Sequence, residues 1–497
     1  MVGFVASAVF QFLLVVAITR GLTTPQAGAF LEAVALFMIL SNFGELGADT
    51  AMVRMVPRLR AMGNGAELRP ALLSAAVPVG LVGLVAALVT FALASDIVRV
   101  FFSEAQRPAA EDYVRTFAWM LPAASLTTVL LAATRGFGSM GAYVGVQNIG
   151  IPLARLVLVA VAIAAGATVV TTAVAWSVPL VAGLLIAIVV CHQLLRRDDS
   201  EWVRPPRRAG SVAREVWWFA APRALAAIFG VTITWFDVLL VGALASTREA
   251  AIYAAISRLS VVGTYALQAM GMAVAPQFSE LVTLRRRESV EHLYQISTWW
   301  MMALTWPLYL VMIVYSSVVA QLFGTQYSAG AAALAILSAA GLYNLATGNV
   351  TVLLLMAGNS TLNMLNASGS LAINITLNVL LIPHWGMTGA AVAWAASIIA
   401  NNTAALLEVR HLLGLRPFGP GYWVVACSAV SCFALPGLVF RETLGNTPMS
   451  LALTCVLGGL AYLLLIARLW DHIEMGALVD SFRRTKRRDA ASQSSSV

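Results

Sequence analysis

The chain has 497 residues, of which 60% are hydrophobic and 11% are charged, and its mean hydropathy is +0.83. Soluble globular domains carry about 25% charged residues, so the composition excludes a soluble enzyme or a soluble binding domain. The net charge of +8 comes from arginines in the polar connections, which is typical of membrane topology and of contact with anionic lipid headgroups. We therefore expect no nucleic-acid partner.

Apolar segments of membrane-spanning length follow one another along almost the whole chain. A helix needs about 20 apolar residues to cross the hydrocarbon core, and open strands would leave backbone groups unpaired in lipid. The sequence therefore predicts an all-α polytopic membrane protein with about fourteen transmembrane helices. We expect these helices at residues 3–20, 28–50, 71–94, 114–134, 141–165, 170–195, 216–241, 250–275, 296–318, 328–355, 361–382, 387–411, 421–440 and 449–468.

Arginine and lysine are distributed unequally between alternate connections. If the N-terminus is cytoplasmic, the inside connections and the C-terminal tail carry 21 of these residues and the outside connections carry 5. Because basic residues concentrate on the cytoplasmic side, we expect a multi-pass protein of the cell (inner or plasma) membrane with both termini in the cytoplasm.

The chain repeats landmarks at an offset of 218 to 220 residues. The tetrapeptide Ala173–Trp176 recurs as Ala391–Trp394. A glycine, a proline and a histidine recur at nearly the same distance: Gly138 and Gly358, Pro57 and Pro276, His192 and His411. Two similar membrane halves are typical of an alternating-access transporter whose site lies where the halves face each other. Because each half holds six predicted helices, the halves are predicted to be parallel repeats.

These repeats predict the organisation of the chain. The segments are a first six-helix repeat at 1–195, a cytoplasmic linker at 196–215, a second six-helix repeat at 216–413, two extra transmembrane helices at 414–470 and a basic cytoplasmic tail at 471–497. The second repeat opens with the aromatic run Val216–Phe219, for which the first repeat has no counterpart. We therefore expect a short first helix or an N-terminus placed too far downstream.

Three stretches carry a resemblance to a known family. They are residues 19–30 with 43–54 in the first two predicted helices, Trp235–Asp237 leading to Gly242 in the seventh, and Leu355–Asn359 through Leu381–Ala390 in the eleventh and twelfth. Together with the six-plus-six arrangement and the two extra helices, they resemble the polysaccharide transporter and O-antigen flippase branch of the multidrug/oligosaccharidyl-lipid/polysaccharide (MOP) exporter superfamily.

This resemblance implies a function and partners. The function is a flippase that moves a polyprenyl-diphosphate-linked oligosaccharide from the inner to the outer leaflet for cell-surface polysaccharide assembly. The implied partners are the lipid-linked oligosaccharide, membrane lipids, and the polysaccharide polymerase or glycosyltransferases of the same pathway.

Four arginines are candidates for binding an anionic cargo, because an ionisable group inside a span is costly and marks a pathway. Arg155, Arg223 and Arg258 lie within predicted spans and Arg115 opens the fourth. A guanidinium offers several donors in a geometry that suits phosphate oxygens, so we predict that these four bind the diphosphate. The alternative is that they reach the interface or bond to helix carbonyls, which is easiest for Arg223 near the cytoplasmic end.

Three acidic residues are candidates for coupling transport to an ion or for relaying protons. Asp237 lies near the outer end of the seventh predicted helix, whereas Glu45 and Asp49, four residues apart, share a face at the cytoplasmic end of the second. The alternative for Glu45 and Asp49 is a set of salt bridges with the arginines that follow them.

A polar stripe runs along one face of the eleventh predicted helix. Its members fall within an arc of roughly 100° and are Asn359, Asn363, Asn366, Ser370, Asn374 and Asn378. We predict that Asn363, Asn366, Asn374 and Asn378 hydrogen-bond to sugar hydroxyls. The alternative is interhelical contacts, worth about 0.6 kcal/mol each.

Other functions agree with parts of the sequence. A drug or organic-cation antiporter would need acidic residues in its cavity, and nothing in the sequence distinguishes lipid II from other diphosphate cargoes. A membrane-embedded glycosyltransferase usually needs a long external segment with catalytic acids, whereas the connection 95–113 is short. The single lysine, Lys486, excludes a phosphate-binding P-loop. The five histidines and four cysteines lack ligand spacing, so we expect no metal, cofactor or disulfide.

Overall fold

The computed structural model describes residues 2–104, 106–198 and 209–469. These residues form helices joined by short connections, and no β-strand occurs among them. The all-α polytopic architecture predicted from the sequence is confirmed. Half of the linker predicted at 196–215, and the basic tail predicted at 471–497, lie outside the described residues.

Long apolar stretches form the helices, and glycine, proline and short polar runs separate them. The helices that precede the linker are α1 (Val2–Gly21), α2 (Thr24–Glu45), α3 (Ala48–Ala61), α4 (Leu68–Ala92), α5 (Ala94–Phe101), α6 (Arg107–Ala118), α7 (Leu121–Gly136), α8 (Met140–Tyr143), α9 (Ile151–Ala164) and α10 (Val169–Asp198). A π-helical segment, Val144–Gly150, joins α8 to α9.

The helices that follow the linker are α11 (Ala209–Leu244), α12 (Thr247–Thr283), α13 (Arg287–Val314), α14 (Ser316–Ala320), α15 (Ala331–Ala346), α16 (Val350–Met356), α17 (Ser360–Leu412), α18 (Pro420–Ala429), α19 (Leu435–Leu444), α20 (Pro448–Leu453) and α21 (Gly459–Arg468). Two further π-helical segments, Val430–Ala434 and Thr454–Gly458, join α18 to α19 and α20 to α21.

The number of spans agrees with the predicted fourteen. Among the described residues, 11 helices are long and apolar enough to cross a membrane, and the number is 12 if α6 and α7, bent by 44°, are counted as one span. With its 53 residues, α17 would extend about 80 Å, more than twice the ~30 Å of the hydrocarbon core. It therefore holds two spans. The shorter apolar helix Val5–Gly21 completes the set.

The helix α17 folds back on itself at Gly386. The backbone of Gly386 (φ 53°, ψ −137°) is accessible to glycine and costly for other residues. Contacts on either side of it run antiparallel: Asn366 donates a hydrogen bond to Glu408 at 2.7 Å, and the Leu381 carbonyl packs against Gly389. The spans predicted at 361–382 and 387–411 thus form a helical hairpin.

The described residues divide into two compact units. The first unit contains the residues up to Leu259 and the hairpin tip Leu371–Trp394, and the second contains Ser260–Ser370 and the residues from Ala395 onward. In the first unit a buried cluster joins α3, α4, α7, α10 and α11, with Met52, Val129 and Val216 fully buried.

The bend between α2 and α3 depends on Gly47. Its φ is +70°, and a Cβ at this position would lie 2.6 Å from the Ala220 carbonyl oxygen of α11. Because glycine adopts positive φ readily and has no side chain, Gly47 permits both the bend and the close approach of α11.

The second unit is organised around α13. Phe278 and Tyr294 are buried in its core, and the Tyr294 hydroxyl donates to the Thr347 carbonyl at 2.6 Å. The C-terminal spans pack on the same helix, since the Tyr462 hydroxyl of α21 donates to the Ala303 carbonyl at 3.0 Å.

Candidate binding cavity

A cavity of about 230 Å³ lies within the first unit. Its wall is formed by α1, α2, α7, α9, α10, α11, α12 and the π-helical segment, so residues of both predicted repeats contribute. Most of the lining side chains are apolar, and the ionisable ones are Glu45, Arg155 and Arg258. Two cations and one carboxylate in an apolar wall favour an anionic ligand.

Arg155, on α9, lies over the indole ring of Trp176. Its Cζ is 3.7 Å from the ring centroid, and its Nε donates a hydrogen bond to the Trp176 carbonyl at 3.0 Å. The Trp176 ring contacts those of Phe37 and Phe117, with centroids 5.3 and 4.8 Å away. The guanidinium is thus anchored at one nitrogen, and its two terminal nitrogens make no hydrogen bond to the described residues.

Arg258 has a similar environment in the other predicted repeat. Its Cζ, on α12, lies 3.8 Å from the ring centroid of Trp235 on α11. A cation over a tryptophan face is stabilised by about 0.5–2 kcal/mol. The two mid-span arginines therefore line a single cavity, each positioned by a tryptophan.

The other two predicted arginines are placed differently. The Nη2 of Arg115, on α6, lies 2.7 Å from the Oε1 of Glu111 in an ion pair, and Arg115 is not among the cavity-lining residues. The side chain of Arg223 lies outside the described residues. The cargo-binding role of both residues stays a prediction.

Asp237, on α11, lies in a buried polar cluster with two of the predicted asparagines. The Asn378 amide donates to its Oδ1 at 2.7 Å and to the Oδ1 of Asn374 at 3.1 Å, and the Tyr253 hydroxyl donates to the other Asp237 oxygen at 3.2 Å. All four side chains are at most 2% exposed. Asp237 forms no ion pair within the described part of the chain, and such a carboxylate favours a proton or a small hard cation.

The other two acidic candidates lie near the end of α2. Glu45 lines the cavity and accepts a hydrogen bond from Asn42 at 3.5 Å, whereas Asp49 accepts one from Thr50 at 3.1 Å. Over residues 2–104, 106–198 and 209–469, neither carboxylate forms an ion pair with an arginine. In the same ranges no group of three His, Cys, Asp or Glu side chains could hold a metal ion.

The remaining members of the polar stripe on α17 have other partners. Asn366 donates to Glu408, Ser370 donates to the Ser397 carbonyl at 2.9 Å, and Asn363 is half-buried. None of the four predicted asparagines is among the cavity-lining residues, and their contact with a cargo stays a prediction.

The tryptophans that position the arginines were not predicted from the sequence. Both carried a signal, because Trp176 ends the repeated tetrapeptide and Trp235 precedes Asp237 by two residues. Their contacts could not be inferred, since 21 residues separate Arg155 from Trp176 and the pairing depends on how neighbouring helices pack.

The chain is similar to a known protein family and to several known proteins. The family described as polysaccharide biosynthesis protein matches residues 1–282. The chain is similar to the probable low-salt glycan biosynthesis flippase Agl15 of Haloferax volcanii, with 24% identity over 237 residues, 46% of this chain and 48% of that protein. It therefore spans about half the length of this curated relative.

Solved structures share the fold at low sequence identity. An inward-facing multidrug resistance transporter of the MATE family in the MOP superfamily aligns with a TM-score of 0.70 and 13% identity, covering 82% of this chain and 94% of that one. The lipid II flippase MurJ, in an inward closed conformation, aligns with a TM-score of 0.69 and 12% identity, covering 94% and 98%. These likenesses show the fold.

Proposed function

Because this chain belongs to the polysaccharide biosynthesis protein family within the MOP superfamily, we propose that it flips a polyprenyl-diphosphate-linked oligosaccharide from the cytoplasmic to the outer leaflet. The cavity with Arg155 and Arg258 carries this proposal. Guanidinium groups suit the oxygens of a diphosphate in charge and geometry, and the apolar wall strengthens their electrostatic attraction to it. We also propose that both termini are cytoplasmic.

The transport cycle follows from this site. The headgroup enters the cavity while the prenyl chain stays in lipid, and Arg155 and Arg258 neutralise the diphosphate. Asn363 and Asn366 of the polar stripe contact the glycan, and Arg115 and Arg223 remain candidates for guiding the headgroup. Movement of the two repeats against each other then exposes the cavity to the outer side.

A coupling ion would bind in the Asp237 cluster. The Asp237 carboxylate, the Asn378 and Asn374 side-chain oxygens and the Tyr253 hydroxyl provide several oxygen atoms in a buried volume, which suits a proton or a monovalent cation. Glu45 and Asp49 are the second candidates, because Glu45 faces the cavity directly.

Two related functions compete with this proposal. An organic-cation antiporter is disfavoured by the excess of arginine over carboxylate in the cavity, whereas a lipid II flippase would bind its diphosphate through the same residues. A membrane-embedded glycosyltransferase would need catalytic acids beside the cargo, and Glu45 is the single acidic residue that lines the cavity.

The test is transbilayer movement of a fluorescent polyprenyl-diphosphate oligosaccharide in proteoliposomes. We expect the wild-type protein to move this lipid, and Arg155→Ala or Arg258→Ala to lower the rate at least tenfold. Arg99→Ala is the matched control, because Arg99 is exposed and pairs with Asp96. Lipid II and an organic cation are assayed in parallel.

The outcomes separate the alternatives. Movement of lipid II alone would replace the cargo with a peptidoglycan precursor, and movement of the organic cation alone would establish an antiporter. If the oligosaccharide moves equally fast in both arginine variants and in the control, the proposed binding site is wrong even though the flippase is right.

A further inference from the structure

Three connections that the topology predicts on the outer side meet within the first unit. The first precedes α2, the second joins α5 to α6, and the third joins α11 to α12. The connections therefore come from both predicted repeats. We call the meeting point the outer seal, and its residues are Gly28, Glu32, Phe101, Ser103, Gln106, Gly242, Thr247 and Ala251.

Polar contacts link the elements of the outer seal. The Ser103 hydroxyl, between α5 and α6, contacts the Thr247 hydroxyl at the start of α12. The Gln106 amide donates to the Glu32 carboxylate at 3.2 Å and to the Pro25 carbonyl at 3.4 Å. Glu32 and Gln106 are at most 1% exposed, and the Ser103–Thr247 contact, which crosses between the predicted repeats, is partly buried.

Two glycines set the distance between the elements. A Cβ on Gly242 of α11 would lie 2.5 Å from Glu32 Oε2 and 3.0 Å from the Phe101 carbonyl oxygen. A Cβ on Gly28 of α2 would lie 2.9 Å from the Gln106 amide nitrogen and 3.2 Å from the Thr247 carbonyl oxygen. Real Cβ atoms do not make contacts below 3.0 Å, and contacts of 3.0 and 3.2 Å to backbone oxygens are tighter than most. The close approach of the helices therefore depends on both positions lacking a side chain.

The tip of the α17 hairpin is tied to the same region. Glu249, two residues after Thr247 on α12, accepts a hydrogen bond from the backbone nitrogen of Met387 at 2.7 Å. This contact holds the first turn after Gly386 against α12. The tip Leu371–Trp394 accordingly belongs to the first unit, whereas the rest of α17 belongs to the second.

We propose that the outer seal closes the cavity on the outer side, and that Gly28 and Gly242 determine the stability of this closed state. The proposal rests on the alternating-access function and the orientation proposed above. A methyl group at either glycine must displace a buried carboxyl or amide group or separate α2 from α11 and α12. Both changes weaken the closed state and not the binding cavity, so they shift the population toward the outward-open state.

The experiment measures access to the cavity from each side of the membrane. A reporter, Met38→Cys, lines the cavity in a background where Cys191, Cys427, Cys432 and Cys455 are replaced by alanine. A membrane-impermeant thiol reagent is added to right-side-out or inside-out vesicles. Gly242→Ala and Gly28→Ala should raise labelling from the outer side about tenfold, equivalent to ~1.4 kcal/mol.

Gly230→Ala is the matched control. Gly230 lies on α11 like Gly242, but a Cβ there would meet no atom within 4 Å, so labelling should equal that of the parent. If a glycine variant does not fold, the double variant Ser103→Ala, Thr247→Ala provides a second test. It removes the contact between the two hydroxyls without adding volume and should still raise labelling from the outer side.

Labelling uses no cargo, so its result is independent of the flippase assay. Equal outer labelling of the parent, both glycine variants and the Ser103–Thr247 double variant would overturn the outer seal. Labelling of the parent mainly from the outer side would also overturn it, because the seal would then face the cytoplasm. If the wild-type protein does not move the oligosaccharide but the variants label as expected, the cargo is rejected and the seal is retained.

Discussion

The stacking of Arg155 and Arg258 on tryptophans explains how a cationic side chain is stabilised in an apolar cavity. A carboxylate partner would compensate the charge but occupy the donors, as Glu111 does for Arg115. An indole face stabilises the cation without accepting its N–H hydrogen bonds in the guanidinium plane. At Arg155 the arrangement therefore keeps the two terminal nitrogens available to an incoming phosphate.

Substituting a tryptophan tests this role. Trp176→Leu should weaken binding of the diphosphate lipid about two- to thirtyfold, because loss of a cation–π contact costs about 0.5–2 kcal/mol, and Trp176→Phe should weaken it less. Binding is measured by titrating detergent-solubilised protein with a fluorescent polyprenyl diphosphate. Trp423, which is 63% exposed, provides the control Trp423→Leu. Equal affinities of Trp176→Leu and wild type would refute the positioning role.

Asp237 tests a different step, since it does not line the cavity. Asp237→Asn keeps the size of the side chain but removes its charge, so we expect transport to lose its response to an imposed proton or sodium gradient. Binding of the diphosphate lipid should stay within about twofold of wild type, which corresponds to ~0.4 kcal/mol. Asp96→Asn, at an exposed ion pair, is the control. An unchanged gradient response would remove Asp237 from the coupling site.

Hydrophobic length and periodicity predicted the helices because in lipid every apolar run must satisfy its own backbone hydrogen bonds. The asparagine stripe was less predictable. Periodicity placed its members on one face, but Asn378 bonds to Asp237 while Asn366 bonds to Glu408. These partners lie 141 and 42 residues away, so helix packing, which the sequence alone does not reveal, determines what each side chain contacts.

The α17 hairpin offers a test of its turn. Gly386→Ala should lower the thermal stability more than Gly358→Ala does. Both glycines have positive φ. A Cβ at Gly386 would collide with the Glu249 carboxylate, whereas a Cβ at Gly358 would have no neighbouring atom within 4 Å. We expect Gly386→Ala to lower the free energy of unfolding by about 1 kcal/mol through backbone strain alone. Overpacking should lower it by roughly 1–3 kcal/mol more.

The comparison uses detergent-solubilised protein followed by thermal unfolding. Glu249→Ala in the Gly386→Ala background should recover part of the loss, because it removes the colliding carboxylate, although it also removes the hydrogen bond to Met387. Equal destabilisation by Gly386→Ala and Gly358→Ala would mean that the contact with Glu249 does not constrain the turn.

The charge of the chain is distributed asymmetrically across the membrane, which bears on the direction of transport. In the proposed topology 21 of the 31 basic residues lie on the cytoplasmic side, and the proposed cargo is an anion carried outward. Moving one negative charge out of a cell with a negative interior is favoured by about 2.3 kcal/mol per 100 mV. This driving force is fixed by the net charge moved in one cycle, whichever step carries it.

The step that senses the potential depends on the cavity. If Arg155 and Arg258 neutralise the diphosphate, the loaded protein changes conformation with little net charge in the field. The potential then acts mainly on the return of the empty, positively charged site. In proteoliposomes with a potassium gradient and valinomycin, we expect an inside-negative potential to speed multiple-turnover transport but not the first turnover. Reversing the potential should slow the later turnovers. A first turnover that accelerates equally would mean that the arginines leave the cargo charge uncompensated.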